Sequence, residues 1–202
     1  MQTFVEIFEY LFGVLAGLYA AIALLRVLLQ LSRADYYNPI SQFIVKATQP
    51  VVGPMRKLIP PWKNLDIAAL IWCFLFQIIA IEIAALVIYQ TTIGPLQVMA
   101  WGAIGLLNLT LNIFYFGLLG LIIVSFVIML GGVHISHPAL DLLRQIMSPV
   151  LTPFQKLLPP MGGLDLSPIL VFLTINVLKI VVADLATGAN MTKAARLIVP
   201  GI

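Results

Sequence analysis

Four long apolar runs, parted by polar segments rich in proline, set the pattern of this chain. The first spans Val5 to Leu31, the second Ile67 to Tyr89, the third lies within Pro95 to Leu130, and the fourth spans Leu166 to about Leu185. A helix rising about 1.5 Å per residue needs about 20 apolar residues to cross the hydrocarbon of a bilayer. Each run is long enough, and the first has room to tilt. Gly13, Ala16, Gly17 and Ala20 recur along it at helical spacing, the kind of small-residue face on which helices approach closely in lipid. The third run is too long for one untilted span and too short for two. Matching it to the first places its span at 106–130 and leaves 95–105 as a short flat or re-entrant lead-in.

The segments between the runs are copies of one another. Asn38 to Asp66 reads NPISQFIVKATQPVVGPMRKLIPPWKNLD, and His137 to Asp165 reads HPALDLLRQIMSPVLTPFQKLLPPMGGLD. They align without a gap: Pro39, Pro50, Pro54, Pro60 and Pro61 meet Pro138, Pro149, Pro153, Pro159 and Pro160, while Lys57 and Asp66 meet Lys156 and Asp165. Asn38 is a good helix cap and Pro39 suits the first helical position. Ile40, Phe43, Ile44 and Ala47 then fall on one face, as do Leu142, Leu143, Ile146 and Met147 in the second copy. Proline bars its predecessor from the helical region, so Pro50 and Pro149 are expected to stop these helices. Gly53-Pro54 and Thr152-Pro153 would each start one more turn, ended by Pro60 and Pro159. Such short amphipathic pieces suit the membrane interface, lying flat. Asp66 and Asp165 each precede an apolar run, and capping explains both.

The pattern therefore predicts an all-α membrane protein with four transmembrane helices arranged as two tandem hairpin repeats, 1–92 and 93–202. Each repeat carries a proline-rich interfacial segment between its spans, 38–61 and 137–160. Composition agrees: of 202 residues 61% are hydrophobic and 9% charged, with a mean hydropathy of +1.07. A soluble domain carries roughly 25% charged residues, enough to cover its surface in water. Cys73 is the only cysteine, which excludes an intrachain disulfide and a cysteine-based metal cluster. The N-terminal MQTFVEIFEY holds no Lys or Arg and is not expected to be a cleavable signal peptide.

Charge placement orients the chain. Arg26, Arg33, Lys46, Arg56, Lys57, Lys63, Arg144 and Lys156 lie on the side of the two proline-rich segments, against Lys193 and Arg196 on the other. The positive-inside bias puts those segments in the cytoplasm, in contact with anionic headgroups, and both termini outside. Nucleic acid is not an expected partner: Trp62 is the sole candidate stacking aromatic and reads better as an interface anchor.

Polar residues within spans are the best pointers to chemistry, since a charge at mid-membrane costs about 2.5–3.5 kcal/mol on insertion scales. Glu82, Lys179, Asn176, Asn112 and Asn108 stand out. Glu82 is 16 residues past Asp66 and Lys179 is 14 past Asp165, so both lie roughly 20–25 Å from the cytoplasmic edge. An approach of Glu82 to Lys179 near Asn112 or Asn108 would lock the repeats together or line a polar path. His134 and His137 lie three apart and Asp141 four beyond, at most a weak site and better read as turn and cap, and no nucleotide-binding glycine loop or catalytic motif is present. No catalytic, cofactor or metal site is expected.

The doubled unit of two spans flanking this proline segment, with Arg56-Lys57 ahead of Pro60-Pro61 and Leu65-Asp66 behind, resembles the YggT family, also called YlmG. The resemblance covers nearly the whole chain. The second copy is looser: His137 replaces the leading Asn and Gln155 replaces the basic Arg56, which confines any role of that Arg to the first repeat. The resemblance implies a bacterial inner-membrane protein without known enzymatic activity, associated with tolerance of osmotic and other envelope stress. Plastid and cyanobacterial relatives are linked to assembly of membrane complexes and to nucleoid or division organisation. Two roles are then open: a scaffold or assembly factor with a membrane-protein partner or a second copy of itself, or an oligomeric ion or small-solute transport subunit.

Overall fold

A computed structural model describes residues 2–88, 90–131, 137–157 and 167–198, all arranged in helices and short connections. The helices are α1 (Gln2–Leu31), α2 (Pro39–Leu58), α3 (Ile67–Val87), α4 (Pro95–Gly131), α5 (Pro138–Leu157), α6 (Ser167–Gly188) and α7 (Lys193–Ile198). Among the described residues four helices, α1, α3, α4 and α6, are long and apolar enough to cross a membrane. Within the first half α1, α2 and α3 pack on one another, and α4, α5 and α6 do so in the second; α4 also packs on α3.

Both proline-rich helices run on where the sequence predicts a break. α2 is a single helix of 20 residues through Pro50 and Pro54, and α5 a single helix of 20 through Pro149 and Pro153. Each proline removes one N–H and frees the carbonyl four residues before it. The two prolines of each helix stand four apart, so they share a face, and in both helices that face is exposed. Freed carbonyls there meet water or headgroups instead of apolar packing, which makes the interruption tolerable. Asn38 caps α2 as expected, its side-chain oxygen accepting from the Ile40 amide at 2.9 Å. At the far end Pro60 cannot continue the helix, and the Ile59 amide closes it on Met55 O at 2.8 Å.

The predicted lead-in at 95–105 is likewise helical, continuous with the span that follows. Pro95 takes the first helical position and nothing after it breaks the ladder, giving one helix of 37 residues. Its first turns bury Val98 and Trp101 against Ala80 and Ile81 of α3 and Met191, Ala195 and Ile198 at the chain's end. Trp101 Nε1 donates to Ala189 O at 2.9 Å. The short α7 was not foreseen. It folds back on α1 and α3, where a Cβ at Gly13 would stand 2.9 Å from Leu197 Cδ1. Of the small residues in α1, Gly13, Ala16 and Ala20 pack, while Gly17 faces open space.

The main core joins Ala20, Ala23, Leu24 and Val27 of α1 to Ala68, Ala69 and Cys73 of α3. Ile44 and Val52 of α2 and Leu142, Ile146 and Met147 of α5 dock onto the same cluster. Phe43, on the face predicted to be oily, stays exposed, together with many apolar side chains on the long helices, among them Phe4, Leu18, Phe116 and Ile180. In a bilayer such residues are already in their preferred solvent.

Candidate functional site

What α2 turns toward the spans is partly polar: its buried stripe is Ser41, Ile44, Thr48 and Val52. Opposite lies Arg26, about 8 Å below the end of α1 at the rise of a helix and 3% exposed. Its Nη1 donates to Thr48 Oγ1 at 2.8 Å and to Val45 O at 3.3 Å, and its Nη2 to Gln49 Oε1 at 3.0 Å. Thr48 passes the bond on, its hydroxyl donating to Ile44 O at 2.8 Å.

Asp66 completes the network from the third helix. As predicted it caps α3, with Oδ1 accepting from the Ala69 amide at 3.2 Å. Capping is only half of its role. Oδ2 accepts from Arg56 Nε at 3.0 Å and from Arg56 Nη2, and lies 3.4 Å from Arg26 Nε in an ion pair. Arg56 Nη2 also donates to Gln30 Oε1 at 3.2 Å. One fully buried carboxylate thus holds two guanidinium groups from different helices. Burial alone would push the Asp66 carboxyl up; the Arg56 hydrogen bond, the Ala69 amide and the charges of Arg56 and Arg26 outweigh it and hold the group below the usual carboxylate range.

Two further bonds tie the repeats together beside this network. Asn38 Nδ2 donates to Pro138 O at 2.7 Å, and the Asp35 amide donates to Gln145 Oε1 at 2.8 Å. Asn38 therefore caps its own helix with one amide atom and grips the start of α5 with the other. His137, its counterpart, closes its own turn, with Nδ1 accepting from the Ala139 amide at 3.2 Å.

The sequence profile of the family described as CCB3/YggT matches residues 1–87 and again 100–186. The chain belongs to that family. An uncharacterized protein of Pseudomonas aeruginosa is 41% identical over 184 residues, covering 90% of this chain and 91% of its own length. The uncharacterized protein YggT of Escherichia coli K12 is 36% identical over 182 residues, covering 89% and 92%. A Vibrio alginolyticus protein is 31% identical over 178 residues, covering 88% and 94%. No solved structure matches. The double family match coincides with the two helical triplets α1–α3 and α4–α6.

Of the predicted intramembrane cluster, the Glu82–Lys179 ion pair is not formed among the described residues. α4 packs between α3 and α6, the helices that carry them. Lys179 instead places its ammonium 4.8 Å from the centroid of the Tyr115 ring on α4, a cation–π contact that suits an apolar setting. Asn176 turns back on its own helix, donating to Phe172 O at 2.7 Å. Asn108 and Asn112 are buried in α4, and Glu82 is partly exposed. Of the interfacial motif, Pro39, Pro50, Pro54 and Lys57 lie on α2 and Pro138, Pro149, Pro153 and Lys156 on α5, while Pro159 and Asp165 fall outside the described residues.

Sequence reasoning used Arg26 only to orient the chain. The signal was present: a lone guanidinium within an otherwise apolar run demands a partner. Gln77 was passed over too; it is fully buried in α3, and neither amide atom has a hydrogen-bond partner. Among the described residues no three His, Cys, Asp or Glu side chains gather at one point. The chemistry of the Arg26–Asp66–Arg56 set is electrostatic: it fixes helices and offers positive charge.

Proposed function

We propose that this chain is a non-enzymatic protein of the bacterial inner membrane, a scaffold or assembly factor used under osmotic and envelope stress. Its proline-rich helices face the cytoplasm, as the distribution of basic residues favours. The carrying observation is the double anchorage of α2, to the spans through Asp66 and to α5 through Asn38. Fixed in this way, α2 and α5 offer one rigid surface at the membrane face, the property a docking platform needs. Anionic headgroups surround that surface, and the occupant is another membrane protein or a second copy of this chain.

A photo-cross-linker at Lys57 or Lys156, both exposed, tests the reading in cells. A defined membrane protein, or the chain itself, should be captured reproducibly, and more of it after osmotic upshift. Labelling no greater than that of an unrelated membrane protein would sink the idea. Transport of an ion or small solute by an oligomer is the second reading, favoured by the unpartnered Gln77 amide inside a span. Flux into liposomes holding the purified chain, abolished by Gln77→Leu, would establish that reading in place of the first.

A further inference from the structure

Between α1, α2 and the connection after α2 lies a cavity of about 820 Å³. Its lining includes four cations, Arg26, Arg33, Lys46 and Arg56. Among the described residues one carboxylate, Asp66, forms ion pairs with them, holding Arg26 and Arg56. The neighbouring Asp35 accepts from the Tyr37 amide at 2.9 Å and keeps its charge, but makes no ion pair with these cations among the described residues. With the Asn64 amide turned so that its oxygen faces Arg33, Arg33 Nε and Nη2 donate to it at 2.9 and 2.8 Å, and this neutral partner brings no countercharge. Lys46 makes no ion pair among the described residues.

The depth of the cavity is as telling as its charge. Arg33 and Lys46 are exposed at its mouth, whereas Arg26 and Ser41 line it from positions only 3% exposed. The Ser41 hydroxyl has no hydrogen-bond partner. A buried hydroxyl left unpaired costs about 1–3 kcal/mol, and like charges converging on one space repel. A ligand with several acceptor oxygens and negative charge answers both. Tyr36 stands at the mouth, an amphipathic ring of the kind enriched at membrane interfaces.

We propose that this cavity binds a phosphate group, either the headgroup phosphate of an anionic phospholipid or free phosphate from the cytoplasm. The phosphate oxygens accept from the guanidinium and ammonium groups of Arg33 and Lys46, and from the Ser41 hydroxyl once that side chain turns into the cavity. Arg26 and Arg56 supply field from below while staying bound to Asp66. Basic pockets between helices on the cytoplasmic face are where headgroups of this charge are held.

The test uses the full chain in nanodiscs of phosphatidylcholine, with two readouts. One is the association of spin-labelled phosphatidylglycerol relative to spin-labelled phosphatidylcholine. The other is the thermal unfolding midpoint as inorganic phosphate is titrated into discs without anionic lipid. The variants are the pair Lys46→Gln with Arg33→Gln, and Ser41→Ala, which leaves net charge unchanged. Lys57→Gln with Lys156→Gln, removing two exposed cations outside the cavity, is the control. Phosphatidylglycerol preference should fall about fivefold for each cavity cation removed, should fall with Ser41→Ala, and should fall less in the control. Phosphate-dependent stabilisation with the same ranking, without lipid preference, would assign the free anion. If cavity variants and control are indistinguishable in both readouts, or the cavity variants cannot be folded and wild type shows neither effect, the proposal is overturned.

Discussion

α2 and α5 have equal length and matching prolines, and both dock apolar side chains on one core, yet α2 adds a set of charges whose positions are neutral in the second repeat. α2 is fastened by charge and hydrogen bonds: Arg26 to Thr48, and Arg56 to Asp66. On α5, Met147 and Leu143 close on Gly117 of α4, where a Cβ would lie 2.7 Å from Met147 Cε. At the constant offset of the repeat, Ser41 becomes Leu140, Thr48 becomes Met147, Arg56 becomes Gln155 and Arg26 becomes Ser125. The prolines set the outline of a helix; the residues between them decide how it docks. Charge pairing in a low-dielectric setting admits one geometry, whereas a methionine against glycine adapts.

The largest break in this comparison comes from Asp66→Ala, which leaves Arg26 buried without a counter-charge. It should cost about 3–5 kcal/mol in unfolding from detergent micelles, whereas Asp165→Ala, in the repeat that carries the neutral Gln155 in place of Arg56, leaves no guanidinium unpaired at that position and should cost less. Equal costs would mean the repeats are not held differently. The same carboxylate sharpens the contrast through pH. Its folded pKa is depressed, so its contribution is fully present above the unfolded value of about 3.9 and is lost as pH falls through the lower folded value. The stability gap between wild type and Asp66→Asn should therefore be constant near neutrality and close only below about pH 4.

In the second repeat Gly117→Leu should cost about 1–3 kcal/mol by overpacking Met147 and Leu143. Gly117→Ala should cost far less, because the end of a methionine moves easily. Asn38→Ala removes a cap and the bond to Pro138 O together, about 1–2 kcal/mol. Asn38→His, importing the residue of the second repeat, should restore the cap but not the bridge. A double-mutant cycle with Gln145→Ala would read the coupling between repeats.

Much of the fold is legible in the pattern of residues. Long apolar runs mark the four long helices, and Asn38 and Pro39 announce the start of α2. The proline breaks were misjudged because the restriction on the residue before a proline is a bias that a helix can override, provided that the penalty for the hydrogen bond lost at the proline is tolerable. That penalty depends on which face the freed carbonyl meets, and only the folded chain sets this. The lead-in at 95–105 was misjudged because apolar length says where a bilayer can be crossed, not where a helix ends. Trp101 and Val98 continue α4 by packing on a chain terminus distant in sequence. The pairing of Glu82 with Lys179 rested on depth alone; helices at one depth still differ in who their neighbours are, and α4 stands between.

The sequence by itself determined that this chain takes the bilayer as its solvent and builds one proline-shaped unit twice, since hydropathy and backbone restriction are properties of the residues themselves. It also determined that Asp66 would cap α3, a bond made within one turn. Helix packing alone brought Asp66 to Arg26 and Arg56, and turned Arg33 and Lys46 toward one cavity. Those outcomes depend on distances between residues far apart in the chain, which helix packing fixes and local sequence does not.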